Sequence, residues 1–247
     1  MLDLFIDYLP LFIEGIKVTL FLAIFGTFFG VIIGALIAFM RIQTIHFTDS
    51  RFVRIMKHIM RSVAIIYIDI IRGTPMIVQA SLFYYGLVSG FMPPLIAGLV
   101  IISFNTAAYI AEIIRSGING LDKGQMEAAK SLGLTEKQAM IHVVLPQAMK
   151  NSLPSLLNEL IVNVKDSAVL SVIQVTELFY SSKSAASSSY QVLESYMIAA
   201  VIYLILTLVL SRGVNYLVHR QSNGGLGRMS RKSQTLPVSQ TVEEAGL

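Results

Sequence analysis

The chain has no cysteine. No disulfide, no thiolate nucleophile and no cysteine-ligated metal is therefore possible. Its four histidines (His46, His58, His142, His219) lack HExxH-like spacing, so no metal site is expected. No GxxxxGK[ST] run occurs, which excludes a phosphate-cradling loop and assigns any ATP hydrolysis to another chain. No nucleophile–base constellation is visible, which argues against an intramembrane enzyme. Charge is scarce as well, at 14% of residues. The first twenty residues carry Asp3, Asp7 and Glu14 where a secretory signal would be basic, so the first apolar helix is expected to be retained. No internal repeat is apparent, which weighs against an inverted-repeat carrier.

What remains is apolar. Of 247 residues, 54% are hydrophobic, and mean hydropathy is +0.67. Such density predicts a polytopic, all-α integral membrane protein. Five spans are expected, at about 16–40, 76–91, 95–114, 153–175 and 195–218, with the start of the second uncertain. In the first, Gly26, Gly30 and Gly34 form a small-xxx-small ladder that suits close approach of another helix. Frequent glycine in membrane helices explains it equally well.

Cations cluster in 41–62 (Arg41, Arg51, Arg54, Lys57, Arg61), in 115–150, and after the last span. The net charge of +4 thus fits cytoplasmic loops rather than nucleic-acid binding. By the positive-inside rule the N-terminus is expected outside and the C-terminus inside. Residues 51–73 read as an amphipathic helix, with Arg54, Lys57 and Arg61 on one stripe and Ile55, Ile59 and Val63 on another. Pro75 is expected to break it, because proline disfavours helix at the preceding Thr74. Residues 1–220 are expected to form the membrane domain, and the polar, Gly/Ser-rich 221–247 a disordered cytoplasmic tail.

Residues 122–154, DKGQMEAAKSLGLTEKQAMIHVVLPQAMKNSLP, are more polar than their neighbours. MEAAKSL favours helix, and Gly133 suits its C-terminal stop. Thr135 with Gln138 offers a capping box for a second helix, and Pro146 is expected to interrupt that helix. The result would be two short helices about a glycine turn. Taken alone, the segment fits a solvated connecting loop equally well.

The run EAAKSLG followed by LPQA resembles the EAA signature of ABC importer permeases. Three stretches narrow the resemblance to the polar amino acid permeases: IRGTPMIVQ (71–79), AAYIAEIIRSGINGLDKGQMEAA (107–129) and NVKDSAVLSVIQVTEL (163–178). The resemblance covers about residues 14–218. It implies a type I ABC importer permease fold with a cytoplasmic coupling segment at about 122–152, in a bacterial inner membrane. Implied partners are a cytoplasmic ATPase dimer carrying ATP and Mg, a second permease chain (the same or related), an extracytoplasmic solute-binding protein and a polar amino acid. By resemblance, Glu127, Ala128, Ala129 and Gly133 contact the ATPase; for Glu127, capping its own helix is the alternative.

The fourth span is apolar yet charged. On a helix, Glu159, Asn163 and Asp166 fall at steps of four and three and share a stripe, with Ser155 near it. Intramembrane acids usually face water or a bundle interior and mark a pathway. These four residues are the candidate substrate contacts. Lys165 and Asp166 have an architectural alternative, as partners of Arg72 or Arg115. Lys165 is taken as structural. So are Asp69 and Arg72, either as a local ion pair or with Arg72 satisfying carbonyls freed at the break. Tyr84, Tyr85 and Asn105 suit either the path or packing. Relatives resembling this chain often have an uncharged residue at Glu159, so an acid there points to arginine, lysine or histidine; glutamine or cystine is the alternative. A second class, an ion-coupled carrier working alone, would use the same acids to bind a proton or sodium ion.

Overall fold

The computed structural model describes residues 2–44, 49–88 and 90–226, with side chains described through Arg220. Helices account for the described secondary structure, in the order α1 (Leu2–Asp7), α2 (Leu9–Arg41), α3 (Arg51–Gly73), α4 (Met76–Ser81), α5 (Pro94–Asn119), α6 (Lys123–Ser131), α7 (Glu136–Ala139), α8 (Leu145–Asp166), α9 (Leu178–Ser189) and α10 (Val192–Leu226). A π-helical stretch, Leu82–Val88, prolongs α4. A second, Met140–Val144, joins α7 to α8, and a 3-10 stretch, Ser167–Ile173, prolongs α8.

The helix α5 is the hub. In its apolar stretch 61% of residues are buried, against 28% in α2 and 17% in α10, so the latter two offer more surface to lipid. The glycine ladder brings α2 onto α5. A Cβ at Gly30 would lie 2.8 Å from Thr106, and one at Gly34 would lie 2.7 Å from the Ala107 carbonyl oxygen. The backbones meet so closely that only glycine fits. Gly26 meets Ile102 in the same way.

The span expectation is met in part. Among the described residues, three unbroken helices, α2, α5 and the apolar part of α10, are long and apolar enough to cross a bilayer. A fourth apolar unit is α3 with Met76–Val88, bent by 105° at the Gly-Thr-Pro break. The segment expected at 76–91 as a span of its own is therefore the second arm of a broken pair. Its helical turns run from Met76 only to Val88, thirteen residues in all, well short of the roughly 20 residues a crossing needs. Thr74 is extended, with φ −123° and ψ 144°, as a residue before proline should be. The remaining expected span is α8 with its 3-10 extension, long enough to cross but diluted by its charged residues.

The polar hairpin also differs in part. α6 ends in a Schellman motif: Leu134 N–H donates to the Ala129 carbonyl (3.2 Å), and Gly133 N–H to that of Lys130 (2.9 Å). Gly133 has φ +87°, the left-handed conformation that glycine adopts without strain. Thr135 and Gln138 form the expected capping box. Pro146, however, does not interrupt the second helix. The π-turn at Met140–Val144 widens the backbone just before it, and the chain runs on into α8. Widening accommodates the proline ring and its missing donor without a stop. The hairpin is thus one short helix and one long helix that enters the membrane domain.

The last helix continues to Leu226, past the expected domain limit at 220; the rest of the tail lies outside the described residues.

Candidate functional site

The candidate site forms where α3 breaks. Helix ends leave carbonyls without partners, and here neighbouring side chains supply them. Thr74 Oγ1 donates to the Ile70 carbonyl (2.8 Å). Gln79 Nε2 donates to the carbonyls of Ile71 (2.8 Å) and Thr74 (3.0 Å), and its Oε1 accepts from Asn105 Nδ2 (3.1 Å). Gln79 and Thr74, rather than Arg72, therefore serve the freed carbonyls. Asn105 fixes that network to α5.

Beside this break lies a cavity of about 400 Å³, within the range of small-molecule sites. Arg72, Thr74, Asn105, Tyr109 and Asp166 line it. Arg72 and Asp166 bring opposite charges to one space from α3 and from the end of α8, where the helix tightens to 3-10 geometry. Such a change of helical type is common at hinges and functional sites. Tyr85 of the π-stretch bonds the Val172 carbonyl of the 3-10 stretch (2.8 Å), tying the two irregular segments together.

Arg72 does not pair with Asp69 among the described residues. It lies 3.9 Å from Glu112 and stacks over Tyr109, 5.5 Å from the ring centroid, while Asp69 is exposed. Glu112 also bonds Arg41 and Arg115, so one carboxylate holds three arginines from three helices. Arg115, a possible partner of Asp166 on sequence grounds, is thus engaged elsewhere. Lys165 is exposed, and no ion pair of its own is found among the described residues.

The polar stripe of α8 separates on folding. Glu159 is half-buried, and its carboxylate is near enough to Asp166 to interact electrostatically. Asn163 is 3% exposed and held inside: its Nδ2 donates to Thr27 Oγ1 (2.8 Å), and its Oδ1 accepts from Thr106 Oγ1 (3.0 Å). It clasps α2, α5 and α8, and its side chain is not free to meet a solute. Ser155 lies in another cavity of about 270 Å³ with Ser116, Asn151 and Ser152, away from Asp166. Of the four candidate contacts, Asp166 alone is in the lining of the cavity at the break, and Glu159 interacts with Asp166 electrostatically.

On the hairpin, Glu127 and Ala128 are exposed, Ala129 is buried under the turn, and Gly133 is exposed at its apex. No side-chain bond of Glu127 is found among the described residues; its helix is capped by Asp122, which accepts from Gly124 N–H (2.8 Å). Leu132, 84% exposed, projects beside Gly133.

Sequence reasoning missed two acids. Glu112 is one; its spacing to Arg115 was visible, but Arg41 is 71 residues away. Glu177 is the other. Fully buried, it accepts from Phe179 N–H (2.8 Å), Tyr180 N–H (2.7 Å) and the Tyr203 hydroxyl (2.8 Å), joining α9 to α10. Its position just before a helical run was the available signal.

A helical membrane bundle with a broken helix, a charged cavity at the break and a polar helical hairpin at one end defines a solute-transport subunit. Comparison with known proteins is specific: residues 31–223 match the family described as binding-protein-dependent transport system inner membrane component, and the chain belongs to it. The arginine transport system permease protein ArtQ of Bacillus subtilis is 36% identical over 209 residues, covering 83% of this chain and 90% of that protein. The glutamine transport system permease protein GlnP of Escherichia coli K12 is 37% identical over 207 residues, covering 82% and 89%. A crystal structure of an amino acid ABC transporter with histidines superposes with a TM-score of 0.78 at 41% identity, covering 87% of this chain and 96% of that one.

The chain is therefore the permease subunit of an amino acid ABC importer, an inner-membrane transport component whose ATPase lies on a separate chain. Membership implies an ATPase and a solute-binding protein as partners in general. It also sets aside the carrier working alone.

Proposed function

We propose that the chain imports a basic amino acid, with the cavity at the α3 break as its binding place. The observation that carries this reading is the meeting of Arg72 and Asp166 in one cavity. A zwitterion offers a carboxylate to a guanidinium and an ammonium to a carboxylate, and arginine suits bidentate carboxylate recognition. Glu159, on the same helix as Asp166, adds a second acid. The two acids, Asp166 in the lining and Glu159 on the same helix, favour the extra positive charge of arginine, lysine or histidinium. Asn163 supports this arrangement by holding α8 in place.

The names of the relatives favour two readings. ArtQ is named for arginine, and the superposed structure contains histidines. GlnP and the probable glutamine permease GlnM of Bacillus subtilis, 42% identical over 160 residues, are named for glutamine. Import of glutamine, cystine or another polar amino acid is the second reading.

Exposed Glu127 and Ala128 with the turn at Gly133 form the proposed docking face for an ATPase dimer that binds ATP and Mg. A second permease chain, identical or related, would complete the pore. The cation-rich ends are proposed to be cytoplasmic, which puts the N-terminus outside and the C-terminus inside.

Competition uptake into proteoliposomes holding the assembled importer tests the substrate. Replacing Glu159 with Gln is expected to weaken apparent arginine affinity about tenfold, the scale of one lost charged hydrogen bond, while leaving glutamine affinity unchanged. Unchanged arginine affinity would favour the glutamine reading.

A further inference from the structure

A second charged cavity, of about 740 Å³, lies at the opposite end of α5 from Pro94. Arg41 from the end of α2, Arg61 from α3 and Arg115 from the end of α5 line it, with Gln43 and Asn119 beside them. Glu136 is the one acid in the lining, and it is bonded to Lys130 at 3.3 Å. Arg41 and Arg115 share Glu112, whereas Arg61 is exposed with no ion pair found for it among the described residues. The cavity is thus net positive. Its walls are also partly apolar, through Ile42, Ile65, Ile118 and Met140. The opposite face of α3 exposes Ile59, Val63, Ile66 and Ile70, a stripe suited to lipid chains.

We propose that this cavity binds a phosphate-bearing anion, with an anionic phospholipid headgroup as its source. Guanidinium groups from three helices line one space, and guanidinium is suited to bidentate phosphate recognition. A purely polar lining would suit free phosphate; the isoleucine and methionine wall suits a phosphate that carries a glycerol backbone. Basic pockets between helices at the membrane surface bind headgroups by this combination. Occupancy would tie α2, α3 and α5 together at the end where the hairpin emerges.

The test uses the assembled importer, purified and delipidated, then mixed with phosphatidylcholine vesicles with or without phosphatidylglycerol; retained lipid is counted by mass spectrometry. The wild type is expected to retain phosphatidylglycerol selectively. Arg61→Gln should reduce that retention about fivefold, while Arg51→Gln, the same charge change on α3 outside the cavity, should leave it unchanged. Gln43→Glu, which brings an acid into the cavity, should reduce it likewise. Equal losses in the Arg61 and Arg51 variants, or no loss in the Arg61 and Gln43 variants, would overturn the proposal. Inorganic phosphate at millimolar concentration separates the sources. No displacement identifies the lipid, and displacement that depends on Arg61 identifies a soluble phosphate as the ligand of the same site.

Discussion

Glu159 and Asn163 stand one turn apart on α8, yet Asn163 is locked between Thr27 and Thr106 while Glu159 stays half-exposed near Asp166. One amide joins three membrane helices, and the neighbouring acid makes no such tie among the described residues. Residues on one stripe of the helix therefore differ in environment: one is tied into the bundle, the other is half-exposed.

Asn163→Ala removes the acceptor of the Thr106 hydroxyl and the donor to Thr27. The loss is expected to cost about 1–3 kcal/mol, since a buried polar group then lacks its partner. Thermal unfolding of the purified importer should show a clearly lowered midpoint. The proposed role is structural, so surviving protein should keep its preference among amino acids.

Close approach of α2 and α5 depends on Gly34, where a Cβ would meet both the Ala107 carbonyl oxygen and Ile110 at 2.7 Å. Backbone cannot yield as a flexible side chain can. Gly34→Leu is expected to destabilise by about 1–3 kcal/mol or more, as overpacking does. Gly213→Ala has open space around it and should be close to neutral in the same thermal measurement.

Gly133→Val forces a β-branched residue into the left-handed turn of the hairpin, where φ is +87°. The local cost should be of order 1–2 kcal/mol. The α-helical membrane domain should still fold, because the turn is exposed. The expected loss is in coupling, read as reduced stimulation of ATP hydrolysis by the loaded binding protein.

Local rules made much of this legible before folding was considered. The bounds of α3, its break at Thr74 and Pro75, the glycine ladder and the caps at Gly133 and Thr135 all follow from neighbouring residues. What the sequence hid was pairing at a distance. The stripe on α8 gave the direction of Asn163 but not the two threonines on other helices that claim it. Arg41 reads as a loop cation until Glu112 is seen beside it. Pro146 reads as a helix stop because a π-turn leaves no simple residue pattern. Residues 76–91 read as a span of their own because hydropathy alone does not register a 105° bend.

The central claim is that Arg72 and Asp166 grip the amino acid on its way through a passage powered from elsewhere. Its most direct measurement is ATP-driven amino acid uptake by the Asp166→Asn importer in proteoliposomes, with binding-protein-stimulated ATP hydrolysis recorded on the same sample. Uptake is expected to fall at least about tenfold, the scale of a lost charged contact, with hydrolysis still stimulated. Uptake at the wild-type rate and affinity would contradict the claim.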